Sequence, residues 1–181
     1  LRRLELEPLL DSLLLFAGRL QLSRPVGIQV AGTGGKARQS MTHSLLSIGS
    51  PYRTVYLPVL RSLLPEMYDT FDFPNPTQIS GQRHVTTVAT QALFLMNSSF
   101  ASDCAERAAE RFLSESHSSE DARLRAIYWQ LLGREARPNE VAAARGFMHS
   151  LQPGNVRDVE LYRYSAFVQA VLGSAEFSYL K

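Results

Sequence analysis

The residues with the chemistry to act on a substrate or ligand are concentrated between Arg53 and Asn97, in the run RTVYLPVLRSLLPEMYDTFDFPNPTQISGQRHVTTVATQALFLMN. Glu66, Asp69 and Asp72 are its carboxylates. Paired carboxylates can do acid–base work on a glycosidic bond. Asp69 and Asp72 would share a helix face if a helix reached that far. The same groups serve equally as ion-pair staples to Arg53, Arg61 or Arg83, because irregular backbone needs fixed polar links. The staple is the favoured reading. The arginines themselves can gather an anionic partner or bond loop carbonyls, and the second use is the more ordinary one. Arg53, Arg61, Asp72, Arg83 and Gln91 are therefore the candidate binding residues, and no residue is assigned a catalytic role.

Other motifs are weaker. Gly32-Thr33-Gly34-Gly35-Lys36 suggests a phosphate loop, but Val30 stands at the first glycine position of that pattern and Ala37 at its Ser/Thr position. His43, His84, His117 and His149 never pair at ligand spacing, and HExxH, CxxC and CxxCH are missing, so no metal or haem cofactor is expected in this segment. Cys104 falls on the apolar face of a helix, as a small buried hydrophobe rather than a nucleophile. Asn97-Ser98-Ser99 matches a glycosylation sequon, and helix capping accounts for the same residues.

The elements that must position these groups are mostly helical. Leu1 to Leu20 has leucines at helical spacing, with Pro8 tolerated if the helix begins near Arg3 to Glu5. Glu5, Glu7 and Asp11 then sit near the positive end of its dipole. Residues 23–50, punctuated by glycine, predict a long flexible loop. Arg53 to Val59 predicts a short extended segment, limited to an edge by Pro58. Pro65 opens a short helix to about Phe71, and FDFPNP forces an extended turn. Thr87 to Met96 is apolar on almost every side, which predicts a buried helix with Leu93 in the core and Thr86 or Thr87 as its N-cap. Four further helices follow. Phe100 to Ser114 buries Ala101, Cys104, Ala105, Ala108 and Phe112, with an Asp103–Arg107 pair outside. The next, capped at Ser118, ends at Gly133. Another starts at Pro138, with Val141, Ala144, Phe147 or Met148, and Leu151 inward. The last runs from Asp158 to Leu172 and buries Leu161, Tyr164, Val168 and Val171. AEFSYLK reads as a tail. The fold class is mainly α: an irregular bundle of about six helices with one short extended segment and a long Gly-rich loop, forming a single domain over residues 1–181.

Composition agrees. The chain of 181 residues is 45% hydrophobic and 20% charged, with a net charge of +2. That is an ordinary globular balance, large enough for a real core, without the concentrated basic face of a nucleic-acid binder. No apolar run reaches membrane-spanning length. The chain begins at Leu1, which reads as a piece of a longer polypeptide.

RTVYLPV, then Arg61, FDFPNP and GQRHVTTVATQALFLMNSSF together resemble the signature of a C-terminal domain of unknown function abundant in Planctomycetes, domain-of-unknown-function family 1553. The flanking RRLELEPLLDSLLLFAGRL, LRAIYWQLLGREARPNEVAAARGF and AVLGSAEFSYLK resemble its outer helices. Gln82 and His84 depart from the arginine and asparagine usual there, so the positive charge of the signature is thinned. The resemblance implies an exported or cell-envelope setting, with upstream domains of the same polypeptide, including a cytochrome c domain, as partners. It implies no catalytic residues. The expected role is a non-catalytic helical module for domain packing or protein interaction. The alternative is a binding or enzymatic site for an extracellular substrate such as a polysaccharide.

Overall fold

A computed structural model describes residues 2–24, 50–57, 59 and 64–180. Most of the loop expected over 23–50, with the Gly32–Lys36 run and His43, lies outside the described residues, as do Pro58 and the candidate Arg61. The described residues form eight α-helices and one two-stranded sheet, the mainly helical bundle that the periodicity predicts.

Helix α1 spans Leu6–Phe16 and buries Leu6, Leu9, Leu10, Leu13 and Leu14, with Pro8 in its first turn. It is shorter than the helix expected from Leu1 to Leu20. Arg2–Arg3 form strand β1, antiparallel to β2 (Tyr179–Leu180), so the expected C-terminal tail is a short helical turn followed by a paired strand. Gly18 turns the chain out of α1 at φ 67°, and a Cβ there would approach Arg111 Cδ to 3.0 Å. Only glycine satisfies both conditions without strain.

Helix α2 (Glu66–Thr70) follows Pro65 as expected. Helix α3 (Ala89–Asn97) does not have the burial its composition predicts. Only Gln91 and Leu95 are buried, whereas Leu93 is 53% and Met96 58% exposed. Val88 is the extended residue before its first turn, and no side chain caps it, so neither Thr86 nor Thr87 is the N-cap. Thr86 is instead bonded to Asp72.

Helix α4 (Ser99–Ser114) is the centre of the bundle. Ser98 caps it by accepting from Ala101 N at 3.2 Å. Ala101, Cys104, Ala105, Ala108 and Ala109 make one side of it small, and all are buried. That lets α7 (Val159–Leu172) pack along it more extensively than any other pair of helices. Helices α1 and α3 pack on α4 as well. The expected Asp103–Arg107 pair is present at 3.1 Å, and Arg19 adds a second ion pair to Asp103.

Helix α5 (Glu120–Leu132) is capped by Ser119 rather than Ser118 and ends at left-handed Gly133. Helix α6 (Pro138–Ser150) turns Met148, not Phe147, inward. Asp158 caps α7, where Tyr164, Val168 and Val171 are buried and Leu161 is partly buried. The short α8 (Ala175–Ser178) leads into β2. Arg134 ties α8 to α6 by holding Glu140 and Glu176 together. The Arg134 hydrogen bonds outweigh burial and lower the Glu140 carboxyl to about 2.

Candidate functional site

Of the described candidate residues, Arg53, Asp72 and Arg83 are each held by a partner near the start of the chain, whereas Gln91 bonds Thr70 and shares Thr86 with Asp72. At the end of α2 the backbone turns left-handed at Asp72, φ 58°. Aspartate tolerates this conformation better than most residues. The turn aims its carboxylate at β1 and at the segment leading to α3. Arg3 Nη2 donates to Asp72 Oδ2 at 2.6 Å, Thr86 N donates to the same oxygen at 2.8 Å, and Thr86 Oγ1 donates to Oδ1 at 2.9 Å. Burial pushes the Asp72 carboxyl up, but the Thr86 and Arg3 hydrogen bonds outweigh it and hold it below its ordinary value. Gln91, in the first turn of α3, is 6% exposed and donates to Thr70 O at 3.0 Å, which links α3 to the end of α2.

Arg83 is used in the same way. Its Nη1 donates to Glu5 Oε2 at 2.7 Å, its Nη2 to Glu7 Oε1 at 2.6 Å, and its guanidinium lies over the Phe73 ring. Burial pushes the Glu7 carboxyl up, and the bonds from Arg83 bring it below its ordinary value. Arg53 Nε donates to Asp11 Oδ2 at 3.0 Å, while Thr54 N donates to Oδ1 at 2.7 Å. Asp11 thereby winds Thr54–Tyr56 into a 3-10 turn in place of the extended segment expected from its β-branched residues.

Asp72, Arg83 and Arg53 are therefore staples, as favoured from sequence, but their partners are Arg3, Glu5, Glu7 and Asp11 rather than one another. Asp69 is exposed, and the helix stops before Asp72, so the two do not form a paired-carboxylate site. The partners on α1 read only as dipole neighbours in the sequence. Asp11 alone carried a signal, because it sits inside the leucine-rich buried face.

The family model PSD1, protein of unknown function (DUF1553), matches residues 1–148. The chain belongs to that family. No curated protein and no solved structure matches it. In this family member the signature residues Asp72, Arg83, Thr86 and Gln91 hold the fold together, and no three His, Cys, Asp or Glu among the described residues are placed to share a metal ion.

Cys104 is fully buried on α4, and burial pushes its thiol up to about 12. From an ordinary value of 9.0 this leaves roughly a thousandfold less thiolate at neutral pH. Native protein is expected to resist iodoacetamide, with full modification only in denaturant. Rapid modification of the native chain, read by mass spectrometry, would show that the α4–α7 seam opens.

Proposed function

We propose that this domain is a non-catalytic packing module. Its helix α3 seats against an apolar surface of an upstream domain of the same polypeptide. The observation that supports this is a division of labour within the signature. Its polar residues are spent on internal staples, while α3 and the residue before it present Leu93, Met96 and Val88 to solvent without a charged residue between them. Uncharged apolar faces of this kind suit durable interfaces better than transient ones. The exported, cell-envelope setting and the cytochrome c domain among the partners belong to this proposal. They rest on the signature's resemblance.

Oxidative footprinting of the intact polypeptide tests it. Met96 is 58% exposed here and Met148 1%. With α3 seated on its neighbour, Met96 oxidises about as slowly as Met148, and Leu93→Glu restores fast oxidation at Met96. Fast oxidation of Met96 in the unaltered polypeptide sinks the proposal.

A further inference from the structure

The exposed side of α3 carries a sulfur that a peroxide can reach. Among the described residues, Met67 and Met148 are buried in the core and Met96 is the exposed methionine. Met96 lies three residues after Leu93, so the two share one side of the helix. Its base is fixed from α7. Gln169 Nε2 donates to Met96 O at 2.8 Å. Gly173, just past the end of α7, leaves the space that Met96 Cγ occupies, since a Cβ there would come within 3.3 Å of it. More than half of Met96 still meets water, and it is not part of the continuous core. A thioether in this position is oxidised by hydrogen peroxide to the sulfoxide. A sulfur lone pair attacks one peroxide oxygen, and the O–O bond breaks as the S–O bond forms. The second oxygen leaves as hydroxide and takes the proton of the transferred one, giving water. Sulfur loses two electrons and the peroxide gains them. Sulfoxide reductases reverse the change.

We propose that Met96 is a reversible oxidative modification site, and that its conversion to the sulfoxide by a peroxide unseats the α3 face. This inference rests on the packing role proposed above and names how that contact is regulated. The effect falls on the interface and not on the fold. With the face bare, the new oxygen is hydrated and the core keeps its packing, because Met96 contributes nothing to it. With the face seated, the same oxygen is withdrawn from water beside Leu93, on a helix that has no charged residue. A buried acceptor without a donor weakens the contact that buries it. Met67 and Met148 are shielded by the core, so peroxide reaches the interface before it reaches the interior.

The test uses the intact polypeptide. Hydrogen peroxide is applied in mild denaturant, at a concentration that opens the seat but leaves Met148 unoxidised, and both are then removed. Hydroxyl-radical labelling of Leu93, located by tandem mass spectrometry, reads whether the face is covered. Leu93 is expected to label at least about fivefold faster in the Met96 sulfoxide than in the reduced polypeptide, the factor that one unmatched buried acceptor is worth. Treatment with methionine sulfoxide reductase restores the slow rate. Met96→Leu, taken through the same peroxide treatment, keeps it throughout. Equal labelling of the reduced and sulfoxide forms overturns the inference while leaving the packing role intact. Loss of shielding in peroxide-treated Met96→Leu overturns it too, because the oxidised group then lies elsewhere. Fast labelling of Leu93 in the untreated, reduced polypeptide removes the seated face itself, and the inference with it.

Discussion

Leu95→Ala is expected to destabilise the chain by about 2–5 kcal/mol in a denaturant titration, and Leu93→Ala by less than about 1 kcal/mol. Both residues lie on α3, and both are leucines in an unbroken apolar run. They differ only in the side of the helix they occupy. Leu95 is 2% exposed and belongs to the continuous core, whereas Leu93 is 53% exposed. Truncating Leu95 removes its buried methyl groups and leaves a space that the surrounding helices can close only in part. Truncating Leu93 removes surface that water already reaches, and alanine is the better helix former. Equal losses at the two positions would mean that α3 is rotated from the orientation described, and would also remove the exposed face on which the packing proposal rests.

This pair shows where the sequence stops being informative. Helices α4 to α7 are legible because caps and apolar stripes are local signals. Ser98 and Asp158 cap α4 and α7, Gly133 stops α5, and Pro138 opens α6. Such signals are decided within a few residues of chain. In α3 the stripe encircles the helix, so composition cannot distinguish a core helix from a surface helix with a sticky face. The β1–β2 pairing is illegible for a different reason. Two residues per strand carry no periodicity, and the partners lie at opposite ends of the chain. The site falls between these cases. That Arg53, Asp72 and Arg83 act as staples follows from their type and their place in irregular backbone. That they clasp Asp11, Arg3, Glu5 and Glu7 depends on tertiary geometry, and spacing along the chain holds no record of it.

Removing the most buried of these staples should have the largest polar effect. Asp72→Ala is expected to cost about 3–5 kcal/mol, because it leaves the Arg3 guanidinium buried with no counter-charge. Arg3 and Asp72 side chains are 6% and 13% exposed, so water cannot take over. The same substitution also places alanine at φ 58°, which adds about 1 kcal/mol of backbone strain. Asp72→Asn separates the two contributions. Asparagine tolerates the left-handed turn and can keep a bond to Thr86, so its loss reports the missing charge. Adding Arg3→Met to Asp72→Asn should recover most of that loss, since the buried cation is then gone too, and the double-mutant cycle gives the coupling directly. Failure to recover would mean that Arg3 packs rather than pairs. The pH dependence has a definite sign. The folded-state value of Asp72 lies below its unfolded value of 3.8, so the unfolded chain takes up the proton first as pH falls. The contribution is fully present above the unfolded value and is lost as pH drops through the lower folded-state value. Asp72→Asn should therefore flatten the acid limb of the stability curve, and a variant whose acid unfolding follows the unaltered chain would show that Asp72 does not carry it.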